Sequence, residues 1–201
     1  MAWIKTIAYE DAVGRLLQLY DRIKGPGNNV DNIMLAHSLR PHTMEGHMAL
    51  YKHVLHNSGN TVAKWFLEVL GIYTSIINRC DYCIEHHYAG MTRLLNDDTR
   101  SKAIRAALEA GDWVTVFVPK EAAALEYVRK LTESPAEISD TEIRSLRSIG
   151  WEDGEILEIN QVTAYFNYAN RTVLGLGVNT DSDILGLSPG DSADSTNWQH
   201  Q

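Results

Sequence analysis

The chain has 201 residues, 44% of them hydrophobic, and its 26 acidic against 18 basic side chains give a formal charge of −8. That length and apolar content suffice for one folded domain with a substantial core. The negative balance disfavours nucleic acid and anionic membrane surfaces, which would repel it. No apolar run is long enough to span a bilayer, and Met1-Ala2-Trp3-Ile4-Lys5 lacks the basic start and apolar stretch of a secretory leader, so a cytoplasmic protein is expected.

Apolar positions Val13, Leu16, Leu17, Tyr20 and Ile23 recur at helical spacing and stop at the turn-forming Gly25-Pro26-Gly27-Asn28-Asn29. A second helical region around Met48 to Leu55 ends near Ser58-Gly59-Asn60. A third runs from about Thr61 to Ile77, where Trp65, Phe66, Val69, Tyr73 and Ile76 form a stripe broad enough for burial on most sides. Asn78 is placed to cap a helix starting at about Arg79, with Cys80 in its first turn. Further helical patterns recur at roughly 98–110, 120–132, 139–149 and 153–175, with Ser139-Asp140-Thr141-Glu142 supplying capping residues for the 139–149 segment. Only Trp113-Val114-Thr115-Val116-Phe117-Val118 looks strand-like, and Pro119 stops it, so it reads as a buried connector. The fold class is therefore all-α. From about Asn179 the composition turns to Ser, Asp, Gly and Asn, and this polar tail, 179–201, is expected to be mobile or packed on a neighbouring subunit.

The chain's two cysteines stand in Cys80-Asp81-Tyr82-Cys83, followed at once by His86-His87. Thiols at this spacing can close a small disulfide ring and store two electrons. A lone close pair in a reducing compartment points to catalysis or metal binding rather than to a structural staple. On a continuing helix Cys83 and His87 fall about 40° apart, so the imidazole can serve the thiol as a base, while His86 projects about 100° away. Glu68 is the sole acid between Thr61 and Arg79, on an otherwise apolar helix, and a carboxylate there needs a partner: His87 in a proton relay, or Lys64 in an ordinary ion pair. A zinc site from Cys80, Cys83, His87 and either His86 or Glu68 is the rival reading, although structural zinc usually joins two separated ligand pairs. A helical oligomer with two incidental buried cysteines is the non-catalytic one. The position of the two thiols leaves their roles open, since the helix end favours Cys80 as thiolate and the histidine favours Cys83.

Glu68 and then Cys80-x-x-Cys83-x-x-x-His87 resembles the active-site signature of the alkylhydroperoxidase (AhpD-like) and carboxymuconolactone decarboxylase superfamily. Arg40-Pro41, Gly150-Trp151 before Glu155-Ile156-Leu157-Glu158, and Ala164-Tyr165-Phe166-Asn167-Tyr168-Ala169-Asn170-Arg171 look like its longer, peroxidase-related members, so the resemblance covers about 1–178. It implies an AhpD-like all-helical bundle in homo-oligomers, trimers or hexamers, with no cofactor and no metal. The implied activity is a thiol-dependent peroxidase that reduces a hydroperoxide and is recharged by an external dithiol of lipoyl or thioredoxin type. A general disulfide reductase or a decarboxylase-like enzyme of the same superfamily is the alternative. By the same resemblance Glu68 and His87 form the relay, Cys83 is the thiol it activates and Cys80 its disulfide partner. Two departures stand out: Tyr82 lies where the best-known peroxidases carry a further histidine, and Ala63-Lys64-Trp65-Phe66-Leu67 lacks the charges usual before the glutamate.

His37, His42, His47, His53 and His56 crowd one region without sharing a helical face, and His37 alone is assigned to a pocket. Asn167, Asn170 and Arg171 interrupt the last apolar helix and are expected at a subunit interface rather than in the cleft.

Overall fold

The computed structural model describes residues 2–201. Among them the helices run in order α1 (Gly14–Ile23), α2 (Asn32–Ala36), α3 (Pro41–Leu55), α4 (Lys64–Ile77), α5 (Asp81–Leu95), α6 (Asp98–Ala110), α7 (Pro119–Glu133), α8 (Asp140–Ser148) and α9 (Asp153–Leu176). No strand occurs among the described residues beyond an isolated antiparallel bridge between Pro189 and His200. The architecture is all-α, as the periodicity predicts.

Helix α4 is the central element and packs against α3, α5, α6, α7 and α9. Phe66, Leu67, Val69, Leu70, Ile72 and Tyr73 cover its whole circumference and are buried, and a helix apolar all round belongs in the interior. Gly71 decides how closely α9 approaches: a Cβ there would lie 2.1 Å from the Phe166 ring. At the start of α4, Phe66 stacks on Trp151, with ring centroids 6.1 Å apart. The cap read at Ser139 forms, with Ser139 N donating to Glu142 Oε2 at 2.8 Å.

Three expectations of helix placement change, and the connector read at 113–118 is a turn. Helix α3 begins at Pro41, well before the apolar run, because proline fits the first helical position and the inward face is carried by widely spaced Met44, Met48, Tyr51 and Leu55. The short α2 escaped notice because five residues show no period. The segment 113–118 is a turn in which Phe117 N donates to Trp113 O at 2.9 Å; both aromatics are buried while Val114 and Val118 face outward. Asn78 ends α4 rather than starting the next helix. The chain then turns through a left-handed Arg79 (φ 57°), and α5 begins at Asp81, so Cys80 occupies its N-cap and Cys83 its first turn. The amides explain the break, since Asn78 N donates to Thr74 O and Cys80 N to Ser75 O, closing α4 from below.

The tail makes contacts of its own. Residues 179–201 fold back over their own chain. Asn32 Nδ2 donates to the carbonyls of Asn179 (2.9 Å) and Asp181 (2.8 Å), the buried Lys52 ammonium donates to Gly190 O and Ser192 Oγ, and the Arg22 guanidinium lies 3.9 Å over the Trp198 ring. The tail lacks apolar residues for a core of its own, and it is instead held by polar groups that α2 and α3 present.

Gly71→Ala is expected to force the Phe166 ring from its seat and to lower stability by about 1–3 kcal/mol, the usual scale of overpacking in a filled core. A urea titration followed by circular dichroism measures it.

Candidate active site

The break at 78–80 makes α4 and α5 an antiparallel pair, so a residue some three turns before it faces one about two turns after it. Glu68 and His87 meet in this way, with His87 Nδ1 2.6 Å from Glu68 Oε2 and side-chain exposures of 14% and 4%. The carboxylate fixes the ring's tautomer by accepting a hydrogen bond from Nδ1–H, which leaves Nε2 as the nitrogen with a free lone pair. Lys64, the other partner considered for Glu68, reaches Asp191 instead at 3.7 Å. Phe166 packs edge-on against the imidazole (4.5 Å between centroids) and Tyr51 lies beyond at 6.2 Å.

Both cysteines are free and buried. The Cys83 thiol, donating toward the Cys80 sulfur, holds Cys80 below the ordinary thiol range against the opposing effect of burial, with lesser help from the Cys83 amide and Asn170. Cys83 is pushed well above that range, first because its proton is engaged by Cys80 and then by burial. Of the two thiols Cys80, at the helix N-terminus, is therefore the more readily ionised and Cys83 the one that holds its proton longer. Behind them, the fully buried Asn170 donates Nδ2 to Ser75 Oγ at 3.0 Å and accepts from Asn78 Nδ2 at 3.0 Å. Asn167 donates to Thr132 Oγ1 and Thr163 O, and Arg171 to Asn167. Asn167 and Asn170 therefore tie α9 to its own chain beneath the thiols, while Arg171 is exposed.

Cys83, Glu68 and His87 line one cavity of about 40 Å³ together with Tyr51, Tyr82, Tyr165 and His86. Tyr51 and Tyr165 stack at 5.5 Å, and burial foremost pushes both phenols well above their usual range, so both remain hydroxyl donors. Cys80 lines a different cleft of about 250 Å³, with Arg79, Val173, Leu174 and Val178. His37 misses the cavity; its Nδ1 meets Thr43 Oγ1 at 2.8 Å and its ring lies beside His47. His86, the weaker candidate in the sequence, lines the cavity but is engaged by Asp183 at 3.1 Å. The zinc reading finds no geometry, since among the described residues no three His, Cys, Asp or Glu side chains converge for a metal ion. Tyr51, Tyr165 and His200 were missed as site residues because nothing local marks them; only packing brings them here.

No family model matches the chain, and no curated protein matches its sequence. Solved structures do. The alkylhydroperoxidase AhpD core, an uncharacterized peroxidase-related protein from Ralstonia eutropha JMP134, superposes with a TM-score of 0.73 at 19% identity over 90% of this chain and 93% of that one. An uncharacterized peroxidase-related protein from Silicibacter sp. TM1040 gives 0.68 at 25% identity over 77% and 78%. The debrominase Bmp8 in complex with 2,3,4-tribromopyrrole gives 0.69 at 16% identity over 89% and 91%. The chain has the AhpD-like fold. Its resemblance is to peroxidase-related proteins of that fold.

The unequal proton affinity of the two thiols has a measurable consequence. Ultraviolet titration of thiolate in the reduced protein is expected to show two separated steps, one below and one above the ordinary thiol range. Cys83→Ala should leave one step, shifted upward, because Cys80 loses its main donor. A single two-proton step would contradict the arrangement.

Proposed function

We propose that the protein is a thiol-dependent peroxidase of the alkylhydroperoxidase type. The observation that carries this reading is that Cys83, next to a second free thiol, lines the same small cavity as the hydrogen-bonded Glu68–His87 pair. His87 takes the Cys83 thiol proton while Glu68 stabilises the imidazolium. The Cys83 thiolate attacks the terminal oxygen of the hydroperoxide, the O–O bond breaks, and the proton returned from His87 lets the leaving oxygen depart as an alcohol, or as water from hydrogen peroxide. The sulfenic acid on Cys83 then condenses with Cys80, forming the disulfide and releasing water. The Tyr51 hydroxyl is the donor for the developing oxyanion, whereas the Tyr165 hydroxyl meets His47 Nε2 at 3.3 Å.

The cycle closes when an external dithiol, of lipoyl or thioredoxin type, reduces the disulfide by exchange and is itself oxidised. Cys80 lines the separate cleft, whose Val173, Leu174 and Val178 walls suit an apolar arm. General disulfide reduction would use the same half-cycle. The debrominase shares the fold, but a tribrominated pyrrole exceeds the cavity of about 40 Å³ found here, which supports peroxide as the better substrate. A reduced thiol pair suits the cytoplasm, the compartment proposed for it.

Peroxide consumption with a dithiol reductant is expected to vanish in Cys80→Ser and in Cys83→Ser with the helical spectrum retained. A dimedone-type reagent should trap sulfenic acid in Cys80→Ser; trapping only in Cys83→Ser would make Cys80 the attacking sulfur. Glu68→Gln or His87→Ala should each slow thiol oxidation by on the order of 10²-fold at neutral pH, with the double variant little worse than the poorer single. Full activity in both singles would remove the relay.

A further inference from the structure

We propose that the C-terminal segment 183–201 is a strap that limits the size of molecule able to reach Cys83, with Leu187 and His200 as the side chains that set the limit. The cavity at Cys83 has a wall that α3, α4, α5 and α9 do not supply: Gly186, Leu187, Ser188 and His200 complete it. With that wall in place the space is about 40 Å³, enough for a few water-sized molecules at roughly 10–15 Å³ each, and so for hydrogen peroxide but not for a branched or aromatic hydroperoxide.

The strap rests directly on the catalytic helix. Gly186 adopts φ +79°, and a Cβ there would lie 2.9 Å from Ala89 C, Ala89 Cβ and Gly90 N; Gly90 in turn backs the Glu68 carboxylate. Leu187 is seated by another glycine, since a Cβ on Gly25 would come within 2.7 Å of its Cδ1. His200 stacks on Tyr51 with centroids 6.4 Å apart, and its Nε2 lies 3.8 Å from Asp31. The ends of the loop are clipped together by the Pro189–His200 bridge and by Gln201 N donating to Ser188 O at 3.1 Å.

Its outer attachments are side-chain contacts, Asp183 to His86 and to Asn32 N, Lys52 to Gly190 and Ser192, and Arg22 over Trp198, together with one long backbone pair, Ser58 N to Ser192 O and Ser192 N to His56 O, both at 3.4 Å. No helix or continuous ladder holds it, so it can lift as a unit while the bundle stays folded. The strap thus admits small peroxides in its seated position, and a bulkier molecule enters after it moves.

The substrate part of this inference rests on the peroxidase reading, but the access part is tested without peroxide. In the reduced Cys80→Ser chain, the rate of Cys83 modification is measured with methyl methanethiosulfonate and with a bulky N-arylmaleimide. Gly186→Ala, which cannot keep its contact with Ala89, and Leu187→Ala, which removes the plug, are each expected to raise the bulky-to-small rate ratio by about tenfold or more, the scale on which a filled apolar pocket discriminates size. A chain ending at Ser182 should do the same. If the ratio stays within about twofold of the parent in the two point variants, the strap does not gate the site. Leu187→Ala decides the matter if truncation costs the helical spectrum. Hydrogen peroxide and cumene hydroperoxide are then compared in the same strap variants with both cysteines present. Oxidation by neither in any chain defeats the peroxidase reading alone, because the reagent ratio still judges the strap.

Discussion

The buried contact between Glu68 and His87 is the constraint around which the rest is arranged. A carboxylate in the middle of a helix that is apolar on every side requires a partner, and breaking a buried pair of this kind typically costs about 3–5 kcal/mol. The partner comes from the next helix, so α4 and α5 must hold one register, which the left-handed turn at Arg79 and the amides closing α4 set. Gly71 then admits Phe166 against the imidazole, and α9 is drawn into the site it supports.

Beside that contact a polar thread runs through the core. Asn78, Asn167, Asn170 and Ser75 bond to one another beneath the thiols, so the amides meet their hydrogen-bonding needs without water while biasing the sulfur charge. Such a network is favourable when complete and costly when broken, which explains polar residues inside an otherwise apolar α9. The surrounding histidines contribute bulk rather than charge: burial drives His47 to about 3, with His37 and His200 adding to the effect. Because that group is neutral when folded, its contribution to stability is present above its unfolded pKa of about 6.5 and is lost as pH falls toward 3.

The two thiols differ in surroundings as well as in proton affinity. Cys83 faces the small cavity with the base, and Cys80 faces the larger cleft beside α9. A helix start separates them: the N-cap position places Cys80 where backbone amides favour negative charge, and the first turn carries Cys83 inward. The same three-residue spacing thereby serves two faces of the molecule.

The sequence by itself determined the helical class and most of the helix segments, and it singled out Glu68, Cys80, Cys83 and His87 as candidates, because apolar period and local spacing are carried by neighbouring residues. It also signalled that Glu68 needed a partner. It left two choices open, Lys64 or His87 for that carboxylate and Cys80 or Cys83 for the charge, and it misplaced the helix start at Asn78, since a cap residue suits either helix end. The tertiary structure decided what depends on distant segments: Asn170 beneath the sulfurs, Tyr51 and Tyr165 over the cavity, and a polar tail seated on its own chain. A tail with few apolar residues shows no fold in isolation; its place exists only once α2, α3 and α5 present Asn32, Lys52 and His86 to receive it.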